Sequence, residues 1–315
     1  MCGLYGFSHY GDKIKNLADL TNALAVQSAI RGTDATGIAF CDTSGVTILK
    51  ENKSAYNLEF KHSDKISCLT GHTRHSTQGS EKFNKNNHPF PGRCINSKFA
   101  LSHNGVLSND GELRKRFNLP KTKIETDSYV AVQLIESKMF LSFDSIKFMA
   151  EQTEGSFSYS ILDDENNIWL VKGDSPLSIL HFPKLKIYVY ASTDEILYRS
   201  LVDYAPLFSA LKKGEFKAVD ISEGDILKIR SDGVIERDKF EYSYFCGKKW
   251  WDYGTFSYTS FCEEDDFSRY NYIEDLKAVA TYQGFLPDDI DELINAGFTL
   301  DEIEEYIYCS CGGEI

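Results

Sequence analysis

The sequence lacks the long apolar runs, the basic leader and the cysteine spacing that mark membrane, secreted and zinc-binding proteins. None of its 315 residues lies in an apolar run of roughly 18 residues, the length of a membrane span. The chain begins with apolar residues and has no basic segment there, so no signal peptide is predicted. Its eight cysteines include no C-x-x-C pair, and we expect reduced thiols in a cytoplasmic protein.

Positive charge is also scarce. Lys and Arg number 34 against 47 Asp and Glu, which gives a formal net charge of −13. Phosphate binding needs a basic surface, so nucleic acid is not expected to be the main ligand.

Cys309 and Cys311 could bind a metal together with Cys246 and Cys262, but their spacing fits no zinc pattern well. We expect no metal and no cofactor.

The start of the chain carries a specific chemical signal. Removal of Met1, which the small side chain of Cys2 favours, would leave an N-terminal residue with both a thiol and a free α-amine. The thiolate is the nucleophilic form of cysteine, and an ordinary thiol has a pKa of about 8.5. An α-amine, with an ordinary pKa of about 7.7–8.0, can accept the thiol proton. The alternative is that Cys2 is an ordinary cysteine with no catalytic role.

Hydrophobic periodicity predicts a mixed α and β domain. Apolar residues at helical spacing predict a helix from Leu17 to Ile30, and further helices are predicted at 125–139 and 193–201. Alternating and continuous apolar runs between turn residues predict strands. The predicted strands cover residues 3–8, 37–41, 46–50, 156–162, 168–172, 177–181, 187–191 and 225–229.

Polar residues that follow predicted strands and open a predicted helix are candidate site residues. Arg74 could bind a carboxylate through two parallel hydrogen bonds, or form a surface ion pair. Asn104 and Gly105 are predicted at the end of a strand, where an amide side chain and a backbone N–H could stabilise an oxyanion. Asn-Gly is also the strongest short hairpin signal, so a plain turn is the alternative. Asp127 could bind a substrate ammonium group or cap a helix.

Six motifs follow one another in a specific order. They are Met1–Gly6, Arg31–Gly37, Gly71–Arg74, Asn87–Pro89, His103–Gly105 and Thr126–Ser128. Together they resemble the class II glutamine amidotransferases, and most of all the glutaminase domain of glucosamine-6-phosphate synthase, over roughly residues 2–235. The resemblance implies an α+β fold, the N-terminal-nucleophile (Ntn) hydrolase four-layer αββα sandwich, with a small helical C-terminal appendage.

The same resemblance implies catalytic roles. Cys2 would attack the side-chain amide of L-glutamine and form a γ-glutamyl thioester, which water would release as glutamate. Asn104 and Gly105 would stabilise the oxyanion. The ammonia would pass to a separate synthase subunit that acts as a partner.

Further roles that the resemblance implies concern substrate binding. Arg74 would bind the α-carboxylate of glutamine, Asp127 its α-ammonium group, and Thr77 would add a polar contact. The implied supporting residues are Arg31, Gly32, His75, His88 and His103.

The sequence departs from the family pattern in the loop after Arg74. His75 stands where the family usually has Trp, and Gln78 where it usually has His, in a loop that closes over substrate in relatives. Two alternatives therefore stay open: a stand-alone γ-glutamyl amide or peptide hydrolase, and a catalytically reduced glutamine-binding regulatory module. A homo-oligomer is compatible with each of them.

Composition predicts three segments along the chain. The glutaminase domain is predicted at residues 1–238, an aromatic and acidic linker at 239–272, and a small helical module at 273–315. Within that module, helices are predicted at 273–280, 288–295 and 300–308. The module could stabilise the domain or dock a partner.

Overall fold

The computed structural model describes residues 2–11 and 14–242, and further positions at 273, 276–277, 280, 286–296, 298, 300 and 303. The chain divides into two compact units, residues 1–247 and 248–315. Most of the predicted aromatic and acidic linker and the four C-terminal cysteines considered as metal ligands lie outside the described residues. The three-segment division stays a prediction.

Two antiparallel sheets form the first unit. The first sheet has the strand order β11-β9-β10-β1-β4-β2-β3, and the second has the order β13-β12-β8-β7-β6-β5. The first sheet comprises β1 (Gly3–His9), β2 (Ala35–Asp42), β3 (Gly45–Glu51), β4 (Cys68–Arg74), β9 (Ser178–Phe182), β10 (Ile187–Ala191) and β11 (Lys217–Ala218). The second comprises β5 (Phe90–Arg93), β6 (Lys98–Leu107), β7 (Gly155–Asp163), β8 (Ile168–Lys172), β12 (Asp225–Ile229) and β13 (Ile235–Lys239).

Within the described residues of the first unit, six α-helices cover the outer faces of these sheets. They are α1 (Leu17–Ser28), α2 (Asp110–Arg116), α3 (Tyr129–Ser137), α4 (Phe143–Gln152), α5 (Asp194–Val202) and α6 (Ala205–Lys212). The predicted helix from Leu17 to Ile30 is confirmed as α1, which continues as a 3-10 turn over Ala29–Arg31. Among the described residues, no helix is long and apolar enough to cross a membrane.

Three apolar cores separate four layers. Side chains such as Leu24 of α1 and Leu197 of α5 pack on the outer face of the first sheet. Tyr190 and Leu170 belong to a core that combines residues of both sheets. Val132 of α3 belongs to the core that combines α3, α4 and the second sheet. The predicted α+β fold with αββα layering is therefore confirmed.

In the second unit, α7 (Pro287–Asn295) lies where the sequence predicted a helix at 288–295. Ile290 of this helix is buried with Leu276, Ala280 and Ile303. Lys277 forms an ion pair of 2.8 Å with Asp291. The helices predicted at 273–280 and 300–308 lie largely outside the described residues.

The hairpin turn considered as an alternative for Asn104 and Gly105 was wrong. Asn104 and Gly105 lie inside β6 rather than in a loop or hairpin turn, and they pair with Ser158 and Phe157 of β7. Gly105 has a φ of +134°, and a Cβ at this position would lie 1.9 Å from the carbonyl oxygen of Ser156. The Asn-Gly pair correctly indicated a backbone conformation that requires glycine. It does not form a turn, because this segment pairs with β7 and continues as a strand.

Candidate active site

Strand pairing places Cys2 beside the end of β4. Gly3 pairs with Thr73, so the residue before β1 lies next to the residues that end β4. The His75 backbone N–H donates to Cys2 Sγ at 3.4 Å, and Sγ lies 3.5 Å from the His75 carbonyl oxygen. Arg31 Nε donates to the Cys2 carbonyl oxygen at 2.8 Å. Hydrogen bonds therefore fix both the sulfur atom and the carbonyl group of Cys2.

A narrow cavity of about 10 Å³ lies against Cys2. Both sheets contribute to it, since Arg74 ends β4 and Gly105 belongs to β6. The cavity is lined by Cys2, Arg74, His75, Thr77, Gln78, His88, His103, Gly105, Thr126, Asp127 and Ser128. Eight of the eleven site residues predicted from the sequence are among them. The other three lie beside lining residues: Asn104 precedes Gly105, Arg31 contacts Cys2, and Gly32 packs on Arg74.

Arg74 is almost fully buried and holds the loop that follows it. Its Nη1 donates to Asn87 Oδ1 at 2.7 Å, and its Nη2 donates to the carbonyl oxygens of Gln78 and Gly79, each at 2.7 Å. A guanidinium has five N–H groups, so these contacts leave two for a ligand. Arg74 both closes loop 75–79 over the cavity and keeps donors for a carboxylate.

Asp34 and Gly32 fix the other side of this loop. The Ser76 backbone N–H donates to Asp34 Oδ2 at 2.7 Å. A Cβ on Gly32 would lie 2.4 Å from the carbonyl carbon of Arg74 and 2.6 Å from the His75 nitrogen. Only glycine allows this close approach between the 31–34 segment and the end of β4.

Asn104 carries a buried donor without a partner. Its side chain is 2% exposed, and Nδ2 has no hydrogen-bond partner in the part of the chain that the structure describes. A buried polar group usually has a partner, so the free Nδ2 indicates a group that arrives with the ligand. Such a preorganised donor next to Gly105 is the chemistry of an oxyanion hole.

Asp127 accepts hydrogen bonds from its surroundings and does not cap α3. The Leu107 backbone N–H donates to Oδ2 at 2.6 Å, and Ser128 Oγ donates to Oδ1 at 3.3 Å. Ser128, the residue before α3, makes no side-chain cap hydrogen bond. Asp127 therefore brings a buried negative charge to the cavity wall, where an ammonium group could bind.

Two of three neighbouring buried histidines, His88 and His103, line the cavity, and the third, His72, contacts both of them. The ring centroids of His72 and His88 are 4.1 Å apart, and those of His88 and His103 are 6.4 Å apart. His72 Nε2 donates to the His103 carbonyl oxygen at 2.9 Å, and His103 Nδ1 lies 2.8 Å from Ser128 Oγ. Burial lowers the pKa of His72 to about 3, the pKa of His88 well below its ordinary value, and the pKa of His103. All three rings are neutral at neutral pH.

The environment of Cys2 has opposing effects on its thiol. Burial raises the pKa of the Cys2 thiol, and the hydrogen bond from His75 together with the positive charges of Arg74 and Arg31 lowers it in part. The net effect is a raised pKa, so the thiol is protonated at neutral pH and needs a base.

In the described part of the chain, no cluster of three or more His, Cys, Asp or Glu side chains could hold a metal ion.

Sequence reasoning missed Thr126, Asn87 and Asp34 as site residues. Thr126 lines the cavity, and Asn87 and Asp34 hold Arg74 and Ser76. Each of the three residues lies within one of the six motifs, and this position was the sequence signal that could have identified it as a site residue. Their contacts depend on tertiary structure and could not be derived from spacing.

No family model matches this sequence. A glutamine–fructose-6-phosphate aminotransferase (isomerizing) of Staphylococcus epidermidis is 33% identical over 188 residues, which cover 57% of this chain and 30% of that protein. The protein of the same name from Fusobacterium nucleatum is 27% identical over 250 residues, which cover 76% of this chain and 37% of that protein. The chain thus matches about a third of the length of these curated relatives.

A solved structure shares the fold. The glutamine phosphoribosylpyrophosphate amidotransferase of B. subtilis, complexed with ADP and GMP, aligns with a TM-score of 0.60 at 20% identity. The alignment covers 77% of this chain and 50% of that chain. Taken with the ordered motifs and the αββα sandwich, these similarities show that this chain carries a class II glutamine amidotransferase domain, distantly homologous to those of the aminotransferase and amidotransferase enzymes it resembles.

Proposed function

We propose that this domain hydrolyses the side-chain amide of L-glutamine through Cys2 and supplies the ammonia to an acceptor reaction on a separate partner. The observation that carries the proposal is that one cavity is lined by Cys2, Gly105, Arg74 and Asp127. These residues combine a nucleophile, an oxyanion donor, a cation and an anion. The proposal requires removal of Met1, because only then does Cys2 have a free α-amine.

The first half of the reaction forms the thioester. The α-amine of Cys2 takes the Sγ proton, which the raised thiol pKa makes necessary, and Sγ attacks the amide carbon. The free Nδ2 of Asn104 and the N–H of Gly105 stabilise the oxyanion. Loss of one such donor typically raises the barrier by about 2.7–4 kcal/mol. The α-ammonium group then protonates the leaving nitrogen, and ammonia departs.

The second half of the reaction regenerates the enzyme. Water adds to the thioester carbonyl carbon, and the α-amine accepts a proton from it. The C–S bond breaks, the thiol is restored, and glutamate is released. The same oxyanion donors act in both halves, because both pass through a tetrahedral intermediate.

Substrate binding needs a movement of loop 75–79. A cavity of about 10 Å³ has room for one water molecule and none for glutamine. The loop is held by Arg74 and by Asp34, and both contacts are hydrogen bonds to backbone atoms that can be exchanged. When the loop opens, Arg74 is free to bind the α-carboxylate, Asp127 the α-ammonium group, and Thr77 makes a polar contact.

The experiment compares the purified wild type with Cys2→Ala for release of glutamate and ammonia from L-glutamine. We expect activity in the wild type and none in the variant. Addition of a co-purifying partner should raise the rate if ammonia is transferred. A partner-independent rate with a preference for γ-glutamyl peptides would contradict the amidotransferase proposal in favour of a γ-glutamyl hydrolase. Glutamine that binds without cleavage would indicate a regulatory module.

A further inference from the structure

Two buried side chains on the cavity wall have unpaired polar atoms. Within residues 2–11 and 14–242, both ring nitrogens of His88 lack a hydrogen-bond partner, and so does the hydroxyl of Thr126. His88 is 4% exposed and Thr126 is 2% exposed. Buried polar atoms in proteins are almost always paired, so two unpaired side chains on one cavity indicate a ligand that both can bind.

Two neighbouring rings pack against the His88 ring. Its centroid lies 4.1 Å from that of His72 and 4.3 Å from that of Phe90. The nitrogen atoms of an imidazole lie on the ring edge, so these contacts do not use its hydrogen-bonding capacity. His88 is held in place by ring packing and can bind a polar molecule through its unpaired nitrogen atoms.

Charge and size define the ligand. Burial, the neighbouring histidines and the positive charges of Arg74 and Lys50 keep His88 neutral by lowering its pKa. A neutral imidazole offers one donor and one acceptor, and a threonine hydroxyl offers both. The cavity volume of about 10 Å³ matches a single water molecule. With loop 75–79 in place, the ligand of these two side chains is therefore small, neutral, and able to donate and accept hydrogen bonds.

We propose that His88 and Thr126 bind the water molecule that hydrolyses the γ-glutamyl thioester on Cys2. The inference rests on the proposed function, because it assigns residues to the second half of that reaction. The water oxygen forms a bond to the thioester carbonyl carbon, one water proton passes to the α-amine, and the C–S bond breaks to leave glutamate and the thiol. His88 and Thr126 orient the water and take no proton themselves.

The test measures how the thioester divides between water and an added nucleophile. Wild type, His88→Phe and Thr126→Val are given L-glutamine with hydroxylamine, and glutamate and γ-glutamyl hydroxamate are quantified. We expect both variants to raise the ratio of hydroxamate to glutamate by about tenfold, because loss of a hydrogen bond to the water slows only hydrolysis. In samples quenched without hydroxylamine, intact mass should show more of the γ-glutamyl enzyme.

Two matched variants separate this role from general damage. Thr126→Ser keeps the hydroxyl and should restore the wild-type ratio. Ser102→Ala removes another buried hydroxyl that has no partner among the described residues and does not line the cavity, so its ratio should equal that of the wild type. Thermal unfolding identifies any variant that does not fold, and Thr126→Val, which conserves volume, keeps the test open if His88→Phe is lost.

The contrary results are distinct. If folded Thr126→Val and His88→Phe divide the thioester as the wild type does, the water-binding inference is wrong. A variant that leaves the ratio unchanged but alters inhibition by added ammonia would assign the subsite to ammonia and also overturn it. If the wild type produces neither glutamate nor hydroxamate, the proposed function itself fails.

Discussion

His72→Gln should make the protein less sensitive to acid. His72 is 1% exposed and its Nε2 donates to the His103 carbonyl oxygen at 2.9 Å. Glutamine places an amide N–H at a similar position, so the variant keeps this hydrogen bond and removes the titrating ring. The substitution therefore isolates the effect of protonation from the effect of lost packing.

The magnitude follows from the pKa of His72. Burial lowers it from 6.5 to about 3, so the folded protein excludes a proton that the unfolded chain binds. The stabilising contribution is complete above pH 6.5 and is lost as the pH falls from 6.5 towards 3. Between pH 7 and pH 5 the loss amounts to about 2 kcal/mol, from the ratio of protonated to neutral histidine in the unfolded chain.

Urea unfolding at pH 7 and pH 5, followed by circular dichroism, measures this effect. The free energy of unfolding of His72→Gln, relative to wild type, should rise by about 2 kcal/mol on going from pH 7 to pH 5. His62→Gln is a control, because His62 is only partly buried and Asp64 partly offsets the effect of burial on its pKa. Equal acid sensitivity of the wild type and His72→Gln would refute the reasoning.

Three further outcomes are expected at the active site. Gly105→Ala should reduce glutaminase activity by about 100-fold or more, since its Cβ would lie 1.9 Å from the Ser156 oxygen and displace an oxyanion donor; activity within threefold of wild type would contradict this. Arg74→Lys should raise KM by about tenfold or more, because lysine cannot reproduce the three bonds to Asn87 and loop 75–79; steady-state kinetics with an unchanged KM would contradict it. The kcat/KM of the wild type should increase with pH above neutrality, because the Cys2 α-amine, with an ordinary pKa of about 7.7–8.0, must be unprotonated to accept the proton of the thiol, whose own pKa is raised by burial; a flat profile from pH 6 to pH 9 would oppose this.

Local pattern was enough to predict much of the sandwich. The strands at 168–172, 187–191 and 225–229 occur where the sequence predicted them, because each is a short apolar run bounded by turn residues. Helix α4 (Phe143–Gln152) was not predicted, although Ser142 accepts from the Ser145 N–H as its N-cap. A capping serine is a weak signal without a glutamate or glutamine three residues later.

Tertiary contacts decided what the sequence could not. The histidine cluster contains His72 of β4, His88 and His103 of β6. Strands β4 and β6 belong to different sheets. Nothing in the sequence spacing of these three histidines predicts that they lie together. Motif order identified most of the cavity wall, but the three hydrogen bonds that tie Arg74 to its own loop and to Asn87 become visible only in the folded chain.

The most direct test of the central claim is the intact mass of the protein before and after incubation with 6-diazo-5-oxo-L-norleucine, a glutamine analogue that alkylates nucleophilic cysteines. Cys2→Ala is measured alongside. We expect a native mass that lacks Met1 and one adduct that is absent from the variant. A retained Met1 with no adduct, or an adduct that persists in Cys2→Ala, would contradict the assignment of Cys2 as an N-terminal nucleophile.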